Sequence, residues 1–457
     1  YVGAAPTLSQ YVLINSPADG SFLGSGNFVL GTIFNGGSFV YDVVRESVSS
    51  DPDQLLLTVT AQAAPPDVWW LGDLGGTGTG VWNASAIGGN TNWATSSAGT
   101  TDAGVPPDAG SHVHFSATGA SNFATTLGAD MVVKQVTFEA GSVGNVVSVA
   151  AGNMLTLAGT GGVGFTMAAG NAGTISFAPA VVLGAAQTWN VEDAAGVLQL
   201  SGGISGTGPL TLNGSGTAAG TFVLDGASST YSGATTVLAG RLVLEGTNRL
   251  PASTALTLGG AASTAVLQLG TATASADTMI GDLISGAASG SAIVGGNAVL
   301  STLSITQSAS GTYSGALGGA GVNENQLALV KAGAGTLVLD GTTLTYAGTT
   351  EVRNGTLQLG SSAVFAATGA VSVIAEDAAT ASFDVNGKSI SLTGTLTLAG
   401  AGSTAQPQFI DSSGSPGLVT LGGGVTFDAT NDPLGGLISA SLDAGSAART
   451  ITVGKIG

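Results

Sequence analysis

Apolar and polar residues alternate in short runs that stop at glycine, and one such run keeps returning along the chain. It reads Leu155-Thr156-Leu157-Ala158-Gly159, then Leu198-Gln199-Leu200-Ser201-Gly202, then Leu210-Thr211-Leu212-Asn213-Gly214. It returns as Phe222-Val223-Leu224-Asp225-Gly226, Leu242-Val243-Leu244-Glu245-Gly246, Leu337-Val338-Leu339-Asp340-Gly341 and Leu357-Gln358-Leu359-Gly360. Each run predicts a period-2 strand closed by a turn residue. Side chains alternate across a strand, so Leu224, Leu244, Leu339 and Leu359 belong on one inward face. Val338, Gln358, Thr397 and Arg241 lie between the inward positions and belong outside. Helical periodicity is nearly absent, and the scarcity of Lys, Glu and Arg beside abundant Gly, Thr, Ser and Val predicts an all-β chain.

A longer repeat is superimposed on the short one. Gly220 to Gly226 followed by Tyr231-Ser232-Gly233 matches Gly335 to Gly341 followed by Tyr346-Ala347-Gly348, 115 positions later. The register continues, Val237 with Val352, Gly240 with Gly355, Leu242 and Leu244 with Leu357 and Leu359. Repeated strand–turn–strand units stack into solenoids. Two short strands per 20–25 residues predict a parallel β-helix with a dry leucine core. Over residues 131–457 that makes roughly 13–16 coils, a rod on the order of 60–80 Å long at one strand spacing per coil.

Three parts are expected. Residues 1–62 read as a β segment with strands at Tyr11–Ile14, Phe28–Leu30, Ser38–Val44 and Leu55–Val59, able to cover a solenoid edge or join subunits. Residues 63–130 open on a stiff Ala63-Ala64-Pro65-Pro66-Asp67 connector and continue as an irregular region with four of the five tryptophans. Residues 131–457 are the β-helix.

Composition narrows the partners. Glycine is common enough to suggest disorder, but positive mean hydropathy and few charges argue against it. The net charge is −18, with nine scattered basic residues, so neither nucleic acid nor an anionic membrane surface is an expected partner. No apolar run is long enough to span a membrane as a helix. Absence of cysteine leaves no disulfide framework and suits an exported chain. The start does not read as a signal peptide, and the end breaks off in a strand-like pattern. A mature product or a piece of a longer polypeptide is expected.

The segments from Tyr231 to Gly246 and from Tyr346 to Gly360 resemble the autotransporter-associated β-strand repeat of bacterial passenger domains. Its usual form is close to G-x-L-x-L-x-G, then Y-x-G-x-T-x-V-x-x-G-x-L-x-L. The stretch from Trp69 to Phe115 looks like the tryptophan-rich region that often precedes such repeats. The resemblance implies export, a right-handed β-helix and a structural or adhesive role at the bacterial outer surface. It carries over no catalytic residue, and nothing in the chain resembles a membrane β-barrel.

Candidate chemistry is sparse. His112 and His114, the two histidines, share one strand face, and such a pair can hold zinc. Asp102 and Asp108 are near in sequence, but spacing defines no third ligand, so no metal and no cofactor are expected. Trp69, Trp70, Trp82 and Trp93 offer either a local core or a stacking surface for surface glycans. Asp225 and Asp340 recur with the repeat and suit turns. Glu376, Asp377 and Asp384 form the densest acidic patch, read as a solvated turn, although carboxylate pairs also cleave glycosides. The glycine-rich stretch 75–80 lacks the context of a phosphate loop.

The expected function is a non-enzymatic surface protein, a module or subunit of a filament assembled end to end. Its partners are copies of itself or the rest of a larger polypeptide. The competing reading is a β-helix that binds or cleaves polysaccharide.

Overall fold

A computed structural model describes residues 9–15, 39–46, 54–61, 63–73, 79–85, 90–140, 147–159, 162–215, 220–286, 290–376, 379–400, 405–428 and 434–454. Among the described residues there is no helix, and parallel strands stack as a β-solenoid of about 13 turns. Upstream, β1 (Ser9–Asn15), β2 (Phe39–Glu46) and β3 (Gln54–Ala61) form a separate antiparallel sheet in the order β1-β3-β2. The expected strand at Phe28–Leu30 lies outside the described residues.

Three strands, rather than the expected two, make up a coil. Thr174–Phe177, Ala180–Leu183 and Gln187–Val191 follow one another along the chain and belong to three different ladders. Their partners in the next coil are Val197–Leu200, Ile204–Gly206 and Leu210–Gly214, in register and 23 residues on. The third strand escapes the sequence pattern because it is short and ends without the leucine-leucine-glycine phrase, as in Ile204-Ser205-Gly206.

The inward face is apolar throughout. Leu244, Leu339 and Leu359 are fully buried and Leu224 nearly so, in one continuous core running from Val68 to Ala440. Identical positions stack from coil to coil, so rings form columns. Phe115 lies 5.6 Å from its register partner Phe138 between centroids, and Phe383 stacks on its partner Phe409 at 5.4 Å.

The longer repeat acquires a structural meaning. Tyr231 and Tyr346 are buried, and each forms a 2.6 Å hydroxyl–hydroxyl hydrogen bond four residues on, to Thr235 and Thr350. Gly240 and Gly355 occupy equivalent corners with φ of +83° and +65°, which glycine adopts without a Cβ penalty. A third buried tyrosine, Tyr313, sits in the related Tyr313-Ser314-Gly315-Ala316 and donates to the Ala316 carbonyl at 3.1 Å. Tyr346→Phe leaves the buried Thr350 hydroxyl without this partner, and we expect a loss of about 1 kcal/mol in urea denaturation.

Parallel pairing begins upstream of residue 131. Strands β4 (Asp67–Trp70), β6 (His112–Phe115) and β9 (Gln135–Phe138) form consecutive rungs of one ladder. Between them lie β5 (Trp93–Ala94), antiparallel to β4, and β7 (Ala124–Thr125) and β8 (Met131–Val133), which begin the other two ladders. The region expected to be irregular thus supplies the first rungs. Its alternation is legible in Asp67-Val68-Trp69-Trp70 and His112-Val113-His114-Phe115, where every second residue, Val68 and Trp70 in one strand and Val113 and Phe115 in the other, is buried.

Candidate functional site on the first coils

The first coils gather the chain's bulkiest rings. Trp70, Trp82 and Trp93 are fully buried around Phe115, with centroids 5.0–5.9 Å apart. The indole N–H of each of these three is satisfied. Trp70 donates to Ser121 O, Trp82 to Thr125 Oγ1 and Trp93 to Trp82 O, at 3.0, 3.0 and 2.7 Å. These three rings fill the core at β4, the first rung of its ladder among the described residues. Trp69 differs: it alternates outward, half-buried, and stacks on the His114 ring at 4.5 Å and 10°.

The outer face of β4, β6 and β9 carries a polar cluster. Parallel register sets Asp67 beside His112, and Trp69 beside His114 beside Thr137. Asp67 Oδ1 lies 3.2 Å from His114 Nε2 and 3.5 Å from His112 Nδ1. The other ring nitrogens are also engaged, His114 Nδ1 with Glu139 Oε1 and His112 Nε2 with Thr137 Oγ1, both at 2.7 Å. The two imidazoles tilt against one another with centroids 3.8 Å apart. Burial, reinforced by the neighbouring His114, pushes His112 down to about 4 against the pull of Asp67 and Glu139, so its ring is neutral near pH 7. The hydrogen bond from His114 holds the Glu139 carboxyl below its ordinary value, opposed by its partial burial.

Sequence proximity misdirected the search for a third partner. Asp102 accepts from the Thr91 and Gly104 backbone N–H groups, and Asp108 from those of Ala64 and Gly110, so both close turns. Asp67 and Glu139 stand beside the histidines instead. The signal available was the connector's own Asp67 opening an alternating run.

The acidic candidates are scattered through the solenoid. Gln199 donates to Asp225 at 2.6 Å, and Gln358 donates to Asp384 at 2.7 Å, each from one coil to the next. Asp340 accepts from the Ser362 N–H at 2.5 Å. Glu376 lies 3.7 Å from Arg353, and Asp377 lies outside the described residues. Asp384 corrects the expectation of a solvated turn. It is buried, and bonds from Gln358, Ser412 and the Asn386 N–H offset its desolvation.

A profile of the passenger-associated transport repeat matches residues 217–244 and 329–359, the two copies that hold the Tyr231–Thr235 and Tyr346–Thr350 bonds. The chain is also 33% identical over 253 residues to the Adhesin BmaC autotransporter of Brucella suis biovar 1 (strain 1330). The chain carries passenger-type repeats and is similar to an autotransporter adhesin. The match covers 53% of this chain and 7% of the adhesin, so the chain spans a small part of that relative's length. No solved structure is significantly similar to it. The histidine cluster lies outside both matched segments of the passenger repeat.

Proposed function

We propose that the chain is a non-enzymatic structural and adhesive segment of a bacterial surface passenger, displayed outside the outer membrane. The similarity to an autotransporter adhesin supports this reading. The observation that carries it is the continuous apolar core from Val68 to Ala440, tied on its outside by coil-to-coil bonds such as Gln199–Asp225 and Gln358–Asp384. Such a tube holds material at a distance from a surface. In this reading its coils continue end to end, against further repeats of the same polypeptide or against another copy. Strand 451–453 presents Ile451 and Val453 well exposed, beside exposed Leu442 and half-buried Ile438 in the same coil. Apolar strand edges of this kind favour pairing with another strand. Nucleic acid finds no basic patch here, and no helix of the described residues is long and apolar enough to cross a membrane.

Light scattering and negative-stain microscopy test the assembly: end-to-end oligomers or fibres are expected. A strictly monomeric chain without fibres leaves only the continuous polypeptide. For the polysaccharide reading, three of the four clustered indoles are buried in the core, leaving Trp69 to offer a face to a sugar. A glycan array and a reducing-sugar assay are therefore expected to be blank.

A further inference from the structure

We infer that Asp67, His112 and His114 form a site for a single divalent transition cation of the zinc type. One ligand atom from each lies within 4.8 Å of the others. Bonds of about 2.0–2.2 Å to nitrogen and oxygen place tetrahedral ligands about 3.3–3.5 Å apart. The two edges from Asp67 Oδ1, to His114 Nε2 and to His112 Nδ1, measure 3.2 and 3.5 Å. Asp67 is thus already at coordination spacing from both histidines, and strand pairing rather than a loop holds it there: β4 carries Asp67 and β6 carries both histidines.

The outer contacts fit the same role. A metal-bound imidazole commonly gives its other N–H to a carboxylate or similar acceptor, which sets the tautomer. Glu139 Oε1 takes that position at His114 Nδ1, and Thr137 Oγ1 takes it at His112 Nε2. In the tautomers that donate to Glu139 and Thr137, the remaining ring lone pairs face Asp67 Oδ1. In those tautomers three acceptors face one point, and a cation among them relieves their repulsion. Two imidazoles and one carboxylate select zinc, cobalt or nickel over magnesium and calcium, which prefer oxygen. Three protein ligands leave a fourth position to water or an incoming donor. Half-exposed Asp67 gives the ion a way in, and Trp69 covers one His114 face. The bound ion joins β4 to β6 and so staples the first rung to the second.

The test uses the whole chain, stripped with chelator and titrated with zinc by calorimetry and with cobalt by visible absorption. The expected result is one equivalent of each, tetrahedral cobalt bands, and a change in tryptophan fluorescence from Trp69. Asp67→Asn and the double variant His112→Gln, His114→Gln are expected to weaken binding by about 100-fold or more, and Glu139→Gln by about 10–100-fold, as for an outer-shell partner. Asp193→Asn, at a turn elsewhere, leaves it unchanged. Absence of saturable zinc and cobalt binding to the wild-type chain overturns the site whether or not the variants fold. So does one-equivalent binding that survives in the folded double variant.

Discussion

Replacing Gly226 by alanine destabilises the protein by about 3 kcal/mol, at the upper end of what overpacking costs. The glycine that closes the leucine phrase reads as a turn residue, but its φ is not in the left-handed region. Its role is close approach. A Cβ at Gly226 stands 1.6 Å from Ser201 O and 2.4 Å from Ser201 C, in the coil before. The same holds for Gly202, 2.0 Å from Pro179 O, and for Gly341, 2.0 Å from Gly315 O. In every case the obstacle is backbone, which cannot rotate away as a side chain can. Moving it apart breaks rungs such as Ala227 N–H to Ser201 O at 3.0 Å and Asp225 N–H to Leu200 O at 3.3 Å. Urea denaturation of Gly226→Ala against wild type measures the loss. Gly414→Ala is the control, since its Cβ meets nothing within 4 Å, and it is expected to be neutral. Equal midpoints for the two variants would mean that the coils do not stack at this spacing.

Stability is expected to rise between about pH 8 and 10 and then to fall steeply. The rise comes from Lys331, which is buried and donates to the carbonyls of Ala332, Gly333 and Asn354 at 3.0, 2.7 and 2.8 Å. Burial pushes its ammonium down to about 8, only partly opposed by Asp282. Above that pH the unfolded chain still binds a proton that the folded chain has released. Unfolding therefore costs about 1.4 kcal/mol more per pH unit until the unfolded lysine also titrates. The fall comes from Tyr231, Tyr313 and Tyr346, whose hydroxyls burial pushes far above their ordinary value. Here the unfolded chain ionises near pH 10 while the folded chain keeps its protons, so the sign reverses. Three such groups remove about 4 kcal/mol per pH unit, and this outweighs the single lysine. Denaturation midpoints between pH 7 and 11.5 trace the profile. Tyr346→Phe should lower the alkaline slope by about a third, and a flat curve through pH 11 would contradict the burial of these rings.

The fold was largely legible because its signal is local. Alternation with period 2 assigns a face without knowledge of the partner strand, so Leu244, Leu339 and Leu359 were placed inside from the sequence alone. The tyrosine register was legible for a similar reason. Tyr231–Thr235 and Tyr346–Thr350 each close within four residues, and the repeat carries both ends together. The number of strands per coil was not legible, because the short third strand carries no phrase of its own. The burial of Asp384 was also hidden, since the hydroxyl and N–H of Ser412 reach it from 28 residues away.

The sequence by itself determined that this chain is an all-β stack of leucine-cored coils with little exposed chemistry. Alternation, glycine spacing and repeat register act over a few residues and are written along the chain. Tertiary structure decided which distant residues share a rung. Asp67 faces His112 and His114, and Glu139 backs His114, because parallel register joins positions 25 to 47 residues apart across coils of unequal length. Spacing along the chain does not announce these pairings, so this polar cluster appears only when the coils are stacked.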